Sequence, residues 1–456
     1  MIKKYQAPGA GLRAWSQGNL QILPNKNVII GWGSNPSISE HLEDGTPVFF
    51  ASLADPAAMN YRAFKFNWTA KPDAPPTLQI FSSSPNSATT FWMSWNGATE
   101  FVFIEAGLKS GTLSAYPLHL NAFGCDSGLY VSKIILGTAS YGSSRWQEWI
   151  LNEEAALPLL KHAYDMGINT WDTADAYSNG RSEEIIGKAL RVYNIPREQV
   201  VILTKIFYAL DPEGQSPIAA LMDKKKQGLA NRVGLSRKHI MSAVAESIER
   251  LGTYIDVLQI HRLDRDVSLM ETMKALNDVV ESGQVRYLGA SSMATWEFQK
   301  LQNIAERNGW HKFISMQNYY NLLYREEERE MIPFCWDTGV GILPWSPLAR
   351  GVLAHPWTER ETDREQTDKL LQRLVRSHET LEDKEVVDRV TEVAAKRGVK
   401  MAIVALAWCL RKGLCPITGL GSTSRIDDAV QAVTFQLSDD EVKYLEDPYR
   451  PKPVVY

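Results

Sequence analysis

Asp172 and Tyr177 stand five residues apart in Trp171-Asp-Thr-Ala-Asp-Ala-Tyr177, and Lys205 and His261 each follow a later apolar run. Together these side chains have the types needed to hand a proton to an oxygen atom. An ammonium beside a phenol favours the phenolate and lowers a pKa that is ordinarily about 10. A carboxylate such as Asp172 can hold the lysine, and a histidine can orient a carbonyl group. Each residue also has a plainer explanation. Aspartate at a strand end often only caps a helix, histidine there is often a satisfied hydrogen-bonder, and lysine there is usually solvated. Their occurrence together, at successive strand ends, is what points to one proton-handling site.

The elements that would position them read as alternating strands and helices. Apolar runs at 168–171, 200–203 and 255–260 precede the four residues and have the texture of buried parallel strands. Further strand-like runs fall at 133–136, 285–288, 313–317, 341–345 and 414–417. Helical patterns lie between them, from 153–166 to 424–432. Eight strands alternating with eight helices predict a (β/α)8 barrel, a TIM barrel, in which the strand C-termini converge on one face. No Gly-x-Gly-x-x-Gly follows an early strand, which counts against a doubly wound dinucleotide fold. The long segments 207–235 and 350–383 read as site covers or mobile loops, with their charged runs as solvated faces.

At 456 residues, with 44% hydrophobic and 22% charged residues and a formal net charge of −4, the chain suits one large and one small domain. It lacks the basic surplus that a nucleic-acid or anionic-membrane partner would call for. The four cysteines show no metal-ligand spacing and read as reduced core thiols. No apolar leader follows Met1, and the run 401–410 is too short to span a bilayer. A cytoplasmic location is expected.

Residues 1–117 have a different texture, rich in Trp, Asn, Ser, Pro and Gly, with short strand-like runs and turn signals. The runs Gly31-Trp-Gly-Ser-Asn35, Tyr61-Arg-Ala-Phe64 and Ser94-Trp-Asn-Gly-Ala-Thr-Glu100 resemble the carboxy-terminal part of fungal arylsulfotransferase-like proteins, which look like β-propellers. The expected organisation is an all-β, partial-propeller-like segment over 1–117, a remnant dispensable for catalysis, ahead of a barrel over 118–456.

From about residue 119 to 450 the chain resembles the aldo-keto reductases, of the aryl-alcohol-dehydrogenase-like and fungal polyketide-pathway kind. The strings Trp171 to Tyr177, Gly180-Arg-Ser-Glu183, Leu203-Thr-Lys205, Asp256 to His261, Gly289-Ala-Ser-Ser-Met293 and Gln317 to Arg325 carry the resemblance. It implies Tyr177 as general acid, Lys205 lowering its pKa, Asp172 pairing with Lys205, and His261 orienting a carbonyl. It also implies NADPH as cofactor and no metal. Ser291, Ser292 and Gln317 would hold the nicotinamide amide, and Trp345 would stack on its ring. Ser346, Pro347 and Leu348 would follow along the cofactor. Gly419, Ser422 and Arg425 would take the adenosine 2′-phosphate, with Asp428 near the adenine. Ser292 replaces the family's usual Asn, and Asp428-Ala429 its usual Glu-Asn. The implied substrate is a small aromatic aldehyde or ketone. The competing expectation is a regulatory barrel that binds NADPH with little turnover, as in the potassium-channel β-subunit relatives, or an N-terminal binding module fused to a reductase.

Overall fold

The computed structural model describes residues 127–211 and 229–455 continuously, and short segments before them at 19–22, 26–31, 37–42, 46–52, 77–81, 90–94 and 119–120. Its backbone contacts divide the chain into two compact units, Met1–Ala115 and Tyr116–Tyr456.

In the first unit, strands Asn19–Ile22, Val28–Gly31, Ser37–His41 and Pro47–Ser52 form an antiparallel meander. A separate antiparallel pair joins Thr77–Phe81 to Thr90–Ser94. Val28 and Ile29 are buried, and so is His41, whose Nε2 meets Ser39 Oγ at 2.8 Å. Of the strand-like runs in this region, the one at 100–104 lies outside the described residues.

The second unit is the barrel. Its strands are β1 (Ile135–Gly137), β2 (Thr170–Asp172), β3 (Val201–Ile206), β4 (Ile255–Ile260), β5 (Val285–Ser291), β6 (Phe313–Gln317), β7 (Gly341–Ile342) and β8 (Ile417–Thr418). They pair in parallel in sequence order, and β8 returns to β1. The seam between β7 and β8 closes through Trp345, which bridges to Ile417, and through Ile417 N–H donating to the Pro344 carbonyl at 2.8 Å. The lower interior is filled by Val131, Ile135, Leu203, Val257, Leu343, Cys415 and Ile417. Val131 belongs to a short hairpin, Val131–Ser132 with His119–Leu120.

The helices pack their apolar stripes on the outside of the strands. Among them are α1 (Glu153–Asp165), α2 (Arg181–Val192), α3 (Arg237–Leu251), α4 (Leu269–Glu281) and α5 (Thr295–Asn308). Local chemistry sets their ends. Ser236 caps α3 by accepting from His239 N–H, and Gly252 stops it in the left-handed region at φ 69°. Among the described residues four helices exceed the expected alternation, two of them the short Asp363–Thr367 and Lys369–Leu374 in the loop after β7. Met401–Arg411, read from sequence only as an apolar stretch, is a nearly all-buried helix, and Asp439–Glu446 follows the last barrel helix. Among the described residues no helix is long and apolar enough to cross a membrane. Cys335, Cys409 and Cys415 are free and buried, while Cys125 lies outside the described residues.

Candidate active site

The parallel ladder runs past the strand ends and fixes the backbone of the upper face. Thr173 N–H donates to the Leu203 carbonyl at 2.8 Å, and Asp175 N–H to the Lys205 carbonyl at 3.1 Å. His261 N–H reaches the Ile206 carbonyl at 3.0 Å. Beyond Tyr177 the chain must reverse into α2, and Ser178, Asn179 and Gly180 do so with φ of 49°, 52° and 90°. A Cβ on Gly180 would lie 2.6 Å from Arg250 Cδ, so glycine is required there on both counts.

Asp172, Tyr177, Lys205 and His261 meet at this face. Lys205 Nζ donates to Asp172 Oδ2 at 2.6 Å, to the Thr173 carbonyl at 2.8 Å and to the Tyr177 hydroxyl at 3.3 Å, satisfying all three of its protons. The ammonium also lies 4.9 Å from the Tyr177 ring centroid. The Tyr177 and His261 rings meet edge to face, with centroids 5.9 Å apart, and Tyr208 packs on the other side of His261 at 5.0 Å.

Electrostatics refine the expectation drawn from sequence. Burial pulls the Lys205 ammonium down, but Asp172 and Tyr177 outweigh it, and its pKa stands above the ordinary lysine range. Burial raises the Tyr177 phenol, and Lys205 only partly offsets it, so the net shift is upward and the phenol keeps its proton. Burial, then Lys205 and Arg262, hold His261 well below the usual histidine range. The imidazole is neutral, and its buried Nδ1 has no hydrogen-bond partner.

Sequence reasoning passed over Gln259. Its Nε2 donates to Asp172 Oδ1 at 3.0 Å, and Gln317 Nε2 donates to the same oxygen at 2.9 Å and to Gln259 Oε1 at 2.9 Å. Asp172 is thus held by two neutral amides and one ammonium, all buried. Gly289 makes the room, since a Cβ there would come within 2.9 Å of Gln259 Cγ and 2.6 Å of Ser315 Oγ. The signal was present in the strand pattern: Gln259 shares the inward face with Val257 and His261. Beneath the site Glu183 binds Arg250 Nε at 2.7 Å and accepts from Thr204 Oγ1 at 2.5 Å, which ties α2 and α3 to β3.

A cavity of about 1310 Å³ opens above these residues. Asp172, Tyr177 and His261 lie on its wall with Ser291, Ser292, Gln317, Trp345, Ser346, Pro347, Leu348, Gly419, Arg425 and Asp428. Lys205 lies behind them, 0% exposed. Ser291 Oγ donates to the Gln317 carbonyl at 2.9 Å, and Ser292 Oγ accepts from Trp345 Nε1 at 3.1 Å. Trp345 stacks on Tyr319 with centroids 4.6 Å apart. Ser422 is not on the wall. It caps α6 (Thr423–Thr434) by accepting from Arg425 N–H at 3.3 Å. Asp428 is engaged by Lys400 Nζ at 2.8 Å.

The charged run after β7 is not the solvated face that sequence suggested. Asp368, 0% exposed, takes Arg350 at 2.6 Å and Arg364 at 3.0 Å while capping its own short helix through Leu370 and Leu371 N–H. Arg364 stacks over Trp149 with 4.3 Å to the ring centroid. Half of this loop's charge is therefore internal to it and folds it against the cavity. The charged run of the long segment 207–235, Lys224-Lys-Lys226, lies outside the described residues.

The aldo/keto reductase family model matches residues 133–450. The chain belongs to the aldo/keto reductase family. Its relatives within that family include a versiconal hemiacetal acetate reductase of Aspergillus parasiticus, 61% identical over 331 residues, or 72% of this chain and 96% of that one. An aldo-keto reductase of Fusarium vanettenii is 51% identical over 337 residues, covering 72% of this chain and 90% of its own. Another from Alternaria alternata is 48% identical over 337 residues, covering 72% and 91%. The family is one of oxidoreductases that act on small carbonyl compounds with a nicotinamide dinucleotide, and the eight-stranded barrel is its scaffold here. The unit Met1–Ala115 lies outside the aldo/keto reductase match.

Proposed function

We propose that this aldo/keto reductase uses NADPH to reduce an aromatic or secondary-metabolite aldehyde or ketone to the alcohol, with Tyr177 as the proton donor. The observation that carries the reading is one continuous cavity. It has a protonated phenol hydrogen-bonded to a buried ammonium on its wall and, elsewhere on it, Arg425, which has no carboxylate partner among the described residues. Its volume of about 1310 Å³ exceeds the usual range of roughly 300–1,000 Å³ for a single small ligand, as a dinucleotide and a substrate together require.

The residues present fit the cofactor. Trp345 is only partly buried and offers a flat face at the catalytic end, flanked by Ser291, Ser292 and Gln317. Gly419, Gly421, Ser424 and Arg425 line the wall around the first turn of α6. A helix N-terminus and a guanidinium suit a phosphate monoester, which distinguishes NADPH from NADH. Bound there, reduced nicotinamide supplies a hydride.

The chain's own groups do the rest. His261, neutral and facing the cavity, orients the carbonyl oxygen toward Tyr177. As charge develops on that oxygen, the Tyr177 hydroxyl gives up its proton, and the phenolate that forms is stabilised by Lys205 at 3.3 Å. Asp172, fixed by Gln259 and Gln317, keeps the ammonium charged and pointed at the phenol. Trp146, Trp149, Phe207 and Tyr208 give the wall an aromatic character suited to an aromatic substrate. A small carbonyl substrate is also in keeping with the 61%-identical relative, named as a versiconal hemiacetal acetate reductase. The first unit is taken as dispensable for this chemistry.

The reading is tested by following NADPH absorbance with a panel of aromatic aldehydes, nitrobenzaldehydes among them. Stoichiometric alcohol formation is expected, with a kcat/KM for NADPH at least tenfold above that for NADH, as a guanidinium–phosphate contact implies. Binding of NADPH without turnover across the panel would leave only the regulatory-barrel alternative.

A further inference from the structure

Four of the eight guanidiniums on the cavity wall are matched by carboxylates. Arg265 takes Glu297 through two hydrogen bonds, at 2.7 and 2.9 Å, Arg350 and Arg364 share Asp368, and Arg376 binds Glu365. Of the other four, Arg145, Arg373 and Arg425 are exposed, and Arg425 faces the end assigned to the 2′-phosphate. Arg262 is different. It follows His261 directly at the end of β4, is half-buried, and lines the cavity beside Phe207 and Tyr208. Its Nη1 donates to the His261 carbonyl at 2.7 Å. Among the described residues no carboxylate comes within ion-pairing distance of it.

A guanidinium offers five donors in a planar fork, and only one of these is used. Such a fork matches an oxyanion far better than it matches water in a site lined by aromatic rings. Its position is adjacent to the reacting centre, because it is one residue from His261, whose ring packs against both Tyr177 and Tyr208. Arg373, on the helix Lys369–Leu374 in the loop after β7, also lines the cavity. A neutral aromatic aldehyde would leave this positive field unanswered, whereas an acidic substituent would answer it.

We infer that Arg262 is a specificity-determining residue that selects aromatic carbonyl substrates bearing an oxyanion, a carboxylate or an ionised phenol, on the ring system. The inference rests on the NADPH-dependent reductase reading and names the substrate class for that same site. The guanidinium binds the oxyanion while His261 and Tyr177 engage the carbonyl, so the acidic group contributes to recognition and takes no part in the proton transfer.

The test uses the full chain with NADPH at pH 7 and two matched pairs of aldehydes. One pair is 4-carboxybenzaldehyde against methyl 4-formylbenzoate, and the other is 4-hydroxy-3-nitrobenzaldehyde against its 4-methoxy analogue. For the wild type, kcat/KM is expected to favour the anion in at least one pair by roughly ten- to hundredfold, mostly through KM, as a charge-assisted hydrogen bond implies. Arg262→Met should collapse that ratio to about one and Arg262→Lys should restore part of it. Anions preferred in the carboxylate pair alone or the phenol pair alone identify which oxyanion the site takes. A wild-type ratio at or below one in both pairs, or a ratio unchanged in Arg262→Met, overturns the inference while leaving the reductase reading intact. An equal fall in kcat for both members of a pair, with a displaced pH profile, would overturn it by assigning Arg262 to tuning Tyr177. Failure of every aldehyde to turn over while NADPH binds would sink the reductase reading itself, and this inference with it.

Discussion

The proposed catalytic end of the cavity and the end proposed to take the cofactor's phosphate are built on opposite principles. At the catalytic end one buried cation and one buried anion, Lys205 and Asp172, are enclosed by neutral amides, a hydroxyl and a backbone carbonyl. At the other end Arg425 is exposed, Lys400 and Asp428 pair at the rim, and arginines of the loop after β7 converge on Asp368. A dry site with a matched pair keeps its charges at fixed positions and strengthens each interaction, which proton transfer needs. A wet site with surplus positive charge captures and releases a highly charged ligand. The difference teaches that substitutions at the first end should fall on kcat and at the second on cofactor affinity.

The strongest way to break that contrast is at Lys205. Lys205→Met removes the charge that stabilises the phenolate, and kcat should fall by about a thousandfold or more with NADPH affinity nearly unchanged. It also strands a buried carboxylate at a cost of about 3–5 kcal/mol, so a large loss in Tm is expected. Adding Asp172→Asn should recover much of the Tm and none of the rate. Recovery of both would mean that the lysine is structural only.

At the other end, Arg425→Met should raise the KM for NADPH by roughly ten- to hundredfold while leaving the KM for NADH and kcat near their original values. A fall in kcat instead would erase the division between the two ends.

A smaller effect sharpens the comparison outside both. Burial pushes the Glu327 carboxyl up to about 7, with Asn318 donating to it. The folded-state pKa is raised above the unfolded one, so the fold favours the protonated form. The associated stability is fully present below about pH 4.5 and is lost as pH rises through about 7. Glu327→Gln should therefore raise Tm by a few degrees at pH 8, corresponding to about 2 kcal/mol, and much less at pH 5. Equal changes at both pH values would contradict it.

The two ends also differ in how far they could be read from sequence. Asp172, Tyr177, Lys205 and His261 were legible because each follows an apolar run, and a parallel barrel brings all strand C-termini to one face. Their local string also carries the left-handed turn at Gly180 that directs the chain into α2. The loop after β7 was misread because several of its charges are neutralised by partners well along the chain, Arg350 with Asp368, 18 residues away, among them, and nothing in composition tells a buried charge from a solvated one. Gln317 was expected to face the nicotinamide amide, yet its Nε2 turns inward to Asp172 and Gln259, a contact that spans 145 residues and becomes visible only once the barrel closes. The helix Met401–Arg411 went unassigned because it is apolar on every side, and full burial leaves no periodic stripe.

The most direct test of the account is a single-turnover measurement of NADPH oxidation with a reactive aromatic aldehyde, comparing the wild type with Tyr177→Phe, alongside NADPH binding followed by protein fluorescence. Removing only the hydroxyl should leave binding intact and slow the chemical step by about a thousandfold or more, with Lys205 still paired to Asp172. A Tyr177→Phe rate within a few fold of the wild type would contradict the assignment of the proton donor and with it the mechanism.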